Sequence, residues 1–334
     1  MIPISILELA PIAEGSDAGD TIKKTKEFAQ LADTLGYNRF WLAEHHNMAH
    51  IASVATAVLI GHIAGETKHI RVGSGGIMLP NHSPLIVAEQ FGTLATLYPD
   101  RIDLGLGRAP GTDTLTALAI QKDFYEQSKQ FPKNIEALMT YFSADNKSSK
   151  VRAAIAENTN VPLWILGSSR ESAALAASKG LPYAFAGHFA PRDMTAAFKL
   201  YRDNFQASQY LKEPYTIAAV NAVAADTEQQ AEILSTSLYQ MFLNIVLNTG
   251  KFLQPPVDSM SQLIGSMSEQ ARSQVNQMTA CSFIGSKEKL AVELKDFISY
   301  SGADELMIHS PIYDQNDKLK SLHLIKEVMD SFQK

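Results

Sequence analysis

A carboxylate, two adjacent imidazoles and an amide directly follow a short apolar stretch, residues 40–43. These four residues are Glu44, His45, His46 and Asn47. The apolar stretch predicts a buried strand, and in parallel α/β folds substrates bind where the strands end. An imidazole exchanges protons near neutral pH because its unperturbed pKa is about 6.5. A single histidine here would more often be a structural residue, but the cluster favours acid–base chemistry at a strand end.

A second candidate is Arg108, which directly follows the glycine-containing apolar segment 102–107. Strand alternation places Gly105 and Gly107 on one face, where they let another group approach the backbone closely. A guanidinium at the end of such a strand suits a phosphate or a carboxylate, the alternative being a surface arginine in an ion pair. The neighbouring glycines favour anion binding. Arg101, at the opposite end, is predicted to be structural.

Glycine also dominates an earlier candidate strand, residues 70–79. Gly73, Ser74, Gly75 and Gly76 are too small to fill a core. The run predicts either a β-bulge or a flat wall on which a planar ring can lie. It does not match the G-x-G-x-x-G fingerprint, and no helix starts directly after it, which argues against a dinucleotide-binding loop. Its pairing with the glycines of the next strand strengthens the prediction of a wall.

Three hydroxyl groups surround the start of a predicted helix, those of Ser168, Ser169 and Ser172. Hydroxyls beside the free N–H groups of a helix N-terminus form an anion site. The same residues, together with Glu171, also match an ordinary capping box, in which side chains satisfy those N–H groups. Because Arg108 lies at the end of the preceding strand, the two features together favour phosphate binding.

Two further histidines, His188 and His309, lie at the ends of later candidate strands and can line the same pocket. Histidines on several strand ends are also typical of barrel metallohydrolases. However, residues 4–9 contain no His-x-His pair, and the adjacent His45 and His46 point in different directions from an extended chain. We therefore predict no metal site and keep metal-dependent hydrolysis as a second class.

Short apolar strands alternate with longer helical patterns along the whole chain. This alternation predicts an α/β fold, a (β/α)8 TIM barrel forming one domain over residues 1–334, with an open doubly wound sheet as the alternative. The segment 111–161 is long enough for an extra helical insertion. The segment 250–282 is polar, contains Pro255-Pro256 and predicts a long lid loop before strand 8. The eight predicted strands are 4–9, 39–43, 70–79, 102–107, 163–166, 183–186, 216–224 and 305–309.

The composition narrows the possible partners and compartment. The chain has a net charge of −6 and no block of basic residues, which argues against nucleic acid or an anionic membrane as the main partner. The single cysteine, Cys281, excludes an internal disulfide framework and fits a cytoplasmic location. The first residues lack the basic region of a signal peptide, and no apolar run is long enough for a transmembrane helix.

Four segments together resemble the bacterial luciferase-like, flavin-dependent monooxygenases, and most closely the luciferase-like oxidoreductases of unassigned substrate. The likeness runs in order from about residue 3 to residue 310. It implies a TIM barrel that binds FMN or, in one branch of the family, the deazaflavin F420. The four segments are 41–46, 72–80, 101–108 and 167–182.

The resemblance also implies roles for individual residues. His45 falls on the catalytic histidine that lies near the flavin, and Gly75-Gly76 falls on a non-prolyl cis peptide that packs near the ring system. Ser168 stands where luciferase has a glutamate, and Gly107 replaces a cysteine beside the flavin. The family's phosphate-binding positions fall on Arg108, Ser169 and Ser172.

These likenesses predict a two-component monooxygenase. A separate flavin reductase would supply reduced FMN, and O₂ would then oxygenate a small organic substrate. The alternatives are an F420-dependent hydride-transfer oxidoreductase and a non-catalytic flavin-binding homologue. Luciferase pairs two subunits through helices after strands two and three, so the apolar segment 51–65 predicts a homodimer.

Overall fold

Eight parallel strands close into a barrel at the centre of the computed structural model, which describes residues 2–332. The barrel strands are β1 (Ile4–Glu8), β2 (Arg39–Leu42), β3 (Arg71–Met78), β4 (Ile102–Gly107), β5 (Leu163–Gly167), β6 (Tyr183–Phe185), β7 (Thr216–Ala224) and β9 (Glu305–His309). Neighbours in the chain pair with one another from β1 to β7, and β9 closes the ring by pairing with both β7 and β1. The predicted TIM barrel is confirmed.

A ninth strand, β8 (Ser282–Gly285), lies outside the ring of eight and is not predicted by the sequence pattern. It pairs with the last four residues of β7, starting at Asn221, whereas β9 pairs with the residues of β7 up to Asn221. Only Phe283 and Ile284 in this strand are large and apolar, so its signal is too short to stand out. The extra strand extends β7 at the carboxyl-terminal mouth of the barrel.

Thirteen helices are described within residues 2–332. They are α1 (Ala18–Thr34), α2 (Thr56–Gly65), α3 (Pro84–Leu97), α4 (Thr114–Ile120), α5 (Phe124–Lys129), α6 (Phe131–Phe142), α7 (Arg170–Lys179), α8 (Met194–Asp203), α9 (Glu228–Val246), α10 (Met260–Gly265), α11 (Glu269–Met278), α12 (Lys287–Ser301) and α13 (Gln315–Ser331). Over this part of the chain, none of these helices combines the length and the apolar character needed to cross a bilayer.

The two segments that interrupt the alternation are both helical. The segment 111–161 holds α4, α5 and α6, as the predicted insertion requires. The segment 250–282 holds α10 and α11, so the prediction of one long loop is wrong. Val275 of α11 is buried against Phe242 of α9, and the N–H of Leu253 donates to the carbonyl of Ile12 at 2.9 Å. A few apolar residues suffice to dock two polar helices, which the composition alone did not reveal.

The amino-terminal end of the barrel holds a buried charge network. Arg39 Nη1 lies 2.6 Å from Asp103 Oδ2, and its Nε lies 3.1 Å from Glu305 Oε1, while Arg71 Nη2 lies 2.7 Å from Asp103 Oδ1. Burial raises the pKa of Asp103, but the two guanidinium groups outweigh it and hold this pKa below its ordinary value. Above the network, Trp41 donates its indole N–H to Asp103 Oδ2 at 3.1 Å. This end of the barrel is therefore closed and structural.

Candidate active site

Glu44 joins the ends of β2 and β3 at the barrel mouth. Its side chain is 2% exposed, and Oε1 accepts hydrogen bonds from His46 Nε2 at 2.8 Å and from His82 Nε2 at 2.9 Å. Oε2 accepts the backbone N–H of Met78 at 3.1 Å. Burial raises the pKa of Glu44, but the bonds from His46 and His82 outweigh it and lower this pKa to about 2. Glu44 is therefore a carboxylate at neutral pH.

His82 was not singled out from the sequence, although it completes this cluster. It follows Asn81 in the turn between β3 and α3, and its only sequence signal is a histidine between two prolines. The donor atoms of Glu44, His46 and His82 lie within 4.8 Å of one another, a spacing that a metal ion can share. Without a metal, Nε2 of His46 and Nε2 of His82 are already hydrogen-bonded to Oε1 of Glu44.

His45 points away from this cluster, as the alternation of an extended chain predicts. Its Nδ1 is buried and has no hydrogen-bond partner within residues 2–332. Burial lowers the pKa of His45 to about 4, with a smaller lowering from His46 and His50 and an opposing effect of Glu44. His45 is therefore a neutral imidazole at pH 7, with one ring nitrogen that can accept a proton and one that can donate a proton.

Two more neutral imidazoles lie close to His45. The rings of His188 and His309 have centroids 5.5 Å apart, and each is close enough to His45 for their charges to interact. Burial lowers the pKa of His188 to about 3 and that of His309 well below its ordinary value. Both histidines were candidates from the sequence, and the structure brings them together with His45.

The glycine run of β3 forms a bulge against β4. The register shifts between Ser74 and Ile77, and the peptide bond between Gly75 and Gly76 is cis, which confirms that prediction. Ser74 Oγ fills the gap in the ladder by accepting the N–H of Gly105 and donating to its carbonyl, both at 2.9 Å. A Cβ on Gly76 would lie 2.8 Å from the Gly105 carbonyl oxygen, so only glycine permits this approach. The role of this surface as a wall for a planar ring stays a prediction.

The hydroxyls of the β5–α7 turn are arranged around the start of α7. Ser169 caps the helix by accepting the N–H of Ser172 at 3.3 Å, and Ser172 Oγ donates to the Ser169 carbonyl at 2.8 Å. Ser172 Oγ also bonds the hydroxyl of Tyr183 at 2.9 Å. Ser168 is half-buried, and its side chain makes no hydrogen bond within the described residues. A serine caps the helix as the sequence indicates, but the cap is Ser169 and not Ser168, so the expected capping box of Ser168 with Glu171 is not formed. Ser168 is left available to another group.

Arg108 is exposed at the end of β4, and within residues 2–332 it makes no hydrogen bond or ion pair. It nevertheless lies close to the start of α7: the pKa of Glu171 is lowered first by the Ser169 hydroxyl and, further, by the charge of Arg108. A guanidinium without a protein partner beside a helix N-terminus is an arrangement that attracts an anion.

The chain is similar in sequence or in structure to several other proteins over almost its whole length. It is 45% identical to a luciferase-like monooxygenase of Escherichia coli strain K12, covering 98% of this chain and 97% of that protein. It is 32% identical to an N-acetyl-S-alkylcysteine monooxygenase of Bacillus subtilis strain 168, covering 98% of each. The crystal structure of apo-MsnO8 matches with a TM-score of 0.88 and 33% identity over 99% of both chains.

More distant solved structures share the fold alone. The oxygenating component of 3,6-diketocamphane monooxygenase from Pseudomonas putida, in complex with FMN, matches with a TM-score of 0.72 and 15% identity over 98% of this chain and 97% of that chain. An F420-dependent secondary alcohol dehydrogenase matches with a TM-score of 0.71 and 15% identity over 99% of this chain and 98% of that chain. The family model described as luciferase-like monooxygenase matches residues 2–305. This chain therefore belongs to the luciferase-like monooxygenase family of oxidoreductases.

Proposed function

We propose that this protein uses reduced FMN, supplied by a separate flavin reductase, and O₂ to oxygenate a small organic substrate. The observation that carries the proposal is Arg108, a guanidinium that has no hydrogen-bond or ion-pair partner within residues 2–332 and lies close to the hydroxyl-rich start of α7. A monoester phosphate is the anion that such a site matches best, since it accepts several hydrogen bonds at once. FMN carries such a phosphate, whereas riboflavin does not.

The side chains present fit an FMN molecule whose phosphate lies beside Arg108 and the start of α7 and whose ring system lies at the barrel mouth. Arg108, Ser168, Ser169 and Ser172 would bind the phosphate, and Gly75-Gly76 would pack near the ring. Several buried nitrogens at the mouth, including His45 Nδ1, have no hydrogen-bond partner among the described residues and can bond a polar ring. Reduced flavin, when bound, supplies the electrons that activate O₂.

His45 is proposed as the catalytic residue. Because its pKa is lowered to about 4, it reaches the reacting centre as a neutral imidazole and can hold or return one proton there. Glu44 and His46 do not compete for that role, since they are bonded to each other. The glycine-lined β3–β4 bulge and the α10–α11 segment would exclude water around the ring.

The deciding experiment is a spectroscopic titration of the protein with FMN and then with F420. We expect the FMN spectrum to shift at micromolar concentrations and, with a reductase and NADH, O₂ consumption to depend on an organic substrate. N-acetyl-S-alkylcysteines are the first compounds to assay, because a relative is named for them. Tight binding of F420 alone would overturn the proposal in favour of hydride transfer, and FMN binding without turnover of reduced flavin would favour a non-catalytic flavin-binding protein.

The phosphate site has its own test. Arg108→Ala should weaken FMN binding much more than riboflavin binding, because a charge-assisted bond to phosphate is lost only in the first case. Arg170→Ala is the matched control, since Arg170 lies at the same helix start but faces Asp193 at 3.5 Å. Equal losses for FMN and riboflavin in Arg108→Ala would refute the assignment of the phosphate site.

The proposal extends to the assembly and location of the protein. The helices α2 and α3 expose large apolar side chains, among them Val58, Ile86 and Leu97. Exposed apolar residues on adjacent helices favour burial against another chain, and we propose a homodimer through this face. We further propose that the barrel is one domain over residues 1–334 and that the protein acts in the cytoplasm.

A further inference from the structure

The barrel mouth concentrates buried polar atoms that lack partners within residues 2–332. Among them are His45 Nδ1, His188 Nδ1, His309 Nε2 and the hydroxyl of Ser310. A buried polar group without a hydrogen bond typically costs about 1–3 kcal/mol, so several of them in one place require a reason. A ligand that supplies the missing partners is such a reason. His309 allows the argument to go further, because the direction of its hydrogen bond can be worked out.

Asn221 fixes which ring nitrogen of His309 carries the proton. Its amide Nδ2 donates to the carbonyl of His188 at 2.7 Å and to Ser282 Oγ at 3.0 Å. A carbonyl only accepts, so this side of the amide must be the NH₂ group and the other side must be the oxygen. Asn221 Oδ1 lies 2.9 Å from His309 Nδ1. Since Oδ1 only accepts, His309 Nδ1 must donate and therefore carries the hydrogen.

The second ring nitrogen of His309 consequently holds a lone pair. Burial disfavours the charged imidazolium, and the neighbouring His188, Lys318 and His45 act in the same direction, so the ring stays neutral. A neutral imidazole protonated at Nδ1 is an acceptor at Nε2. His309 is 2% exposed, and it lies directly opposite Asn221 where the strands β9 and β7 pair. The acceptor is therefore fixed in direction as well as in chemistry.

We infer that His309 is a ligand-binding residue whose Nε2 accepts a hydrogen bond from a neutral N–H or O–H group of a molecule in the barrel mouth, with Asn221 as its positioning residue. This inference rests on the proposed function only in assuming that a flavin or an organic substrate occupies the mouth. Both sources can offer such a donor, either from the ring system of the flavin or from the substrate. A ligand with acceptors alone would leave this nitrogen unpaired and would be disfavoured.

The direction of the bond can be tested without any ligand. Nitrogen-15 NMR of the histidine rings separates a protonated ring nitrogen from one with a lone pair, and His309→Asn identifies the signals of His309 by their loss. We expect Nδ1 to be protonated and Nε2 to carry the lone pair between pH 6 and pH 8. The opposite tautomer, or a charged ring in this range, would overturn the inference.

The ligand is then tested with two kinds of probe. The first is FMN alone, and the second is the isomeric pair benzyl alcohol and anisole, of which only the alcohol is a donor. A change of the His309 Nε2 signal with FMN assigns the donor to the flavin. A change with benzyl alcohol and not with anisole assigns it to the substrate side. No change with either FMN or benzyl alcohol would overturn the inference. If FMN leaves the signal unchanged, equal changes with benzyl alcohol and anisole would also overturn it.

Two variants keep the test independent of folding. His309→Asn retains an amide donor toward Asn221 and removes the acceptor, whereas His309→Gln keeps an oxygen near the position of Nε2. The probe that moves the signal should bind about tenfold more weakly to His309→Asn than to His309→Gln, as expected for one lost hydrogen bond. Equal affinities would overturn the role of Nε2. A separate absorbance titration with FMN reports on the proposed function, so the two can fail independently.

Discussion

Glu44→Gln is the substitution whose effect the structure allows us to calculate best. The carboxylate is 2% exposed and accepts hydrogen bonds from His46, His82 and the N–H of Met78. Glutamine keeps the size of the side chain but removes the negative charge. It also replaces one acceptor oxygen with a donor, which cannot bond an N–H group. The substitution therefore tests the charge of this cluster without emptying its space.

The expected loss follows from the pKa of Glu44, which is lowered from 4.5 to about 2. A tenfold change in proton affinity corresponds to about 1.4 kcal/mol, so the carboxylate contributes about 3 kcal/mol to the free energy of unfolding at pH 7. Because the pKa is lower in the folded protein, this contribution is complete above pH 4.5 and falls as the pH approaches 2. At pH 3.5 the difference between wild type and Glu44→Gln should have shrunk to about 2 kcal/mol.

Urea unfolding followed by tryptophan fluorescence at pH 7, 5 and 3.5 measures this difference directly. Glu27→Gln is the matched control, because Glu27 is exposed and its carboxylate makes no hydrogen bond within residues 2–332. The control should change the free energy of unfolding by less than about 0.5 kcal/mol at every pH. A Glu44→Gln difference that is below about 1 kcal/mol at pH 7, or that does not shrink in acid, would refute the view that Glu44 is a buried, hydrogen-bonded carboxylate.

His45→Ala should slow product formation by about 10²–10⁴-fold, whereas FMN affinity should fall by at most about tenfold, for one lost hydrogen bond, and the melting temperature should change little. A lower melting temperature with an unchanged rate would show a structural role instead. Hydrogen exchange in the segment 250–282 should slow when reduced FMN binds, and strong protection already present without flavin would exclude a lid. Val58→Glu should shift the protein from dimer to monomer in light scattering, whereas Tyr300→Glu, at an equally exposed position on α12, should not; an unchanged dimer would place the interface elsewhere.

The barrel could be predicted because its strands are marked by both hydrophobicity and punctuation. The strand β7, for example, is a nine-residue run of mostly apolar residues, and all nine are buried. The helix α7 is bounded by a serine cap at Ser169 and by Gly180, whose φ of 60° lies in the left-handed region. Such signals are local, because each one depends only on residues that are close together in the sequence. Local signals were therefore enough for the order of the elements.

What could not be predicted depends on contacts between distant parts of the chain. β8 is four residues long and exists because β7 extends beyond β9 and offers it free backbone groups. His82 bonds Glu44 although 38 residues separate them, and nothing in the sequence around His82 marks this contact. The same is true of the bond between Asn221 and His309, 88 residues apart. Sequence patterns located the strand ends, but the partners at those ends come from the closure of the barrel.

The two ends of the barrel show where stability and function are separated. At the amino-terminal end Asp103 accepts bonds from Arg39, Arg71 and Trp41, so its buried charge is fully compensated. At the mouth, burial holds His45 and its neighbouring imidazoles neutral, and one ring nitrogen of each has no hydrogen-bond partner in the part of the chain that the structure describes. Evolution for stability alone would favour removing such groups, because each one costs free energy in the folded protein. Their concentration at the end where barrel enzymes bind their substrates is what the function of a ligand-binding mouth requires.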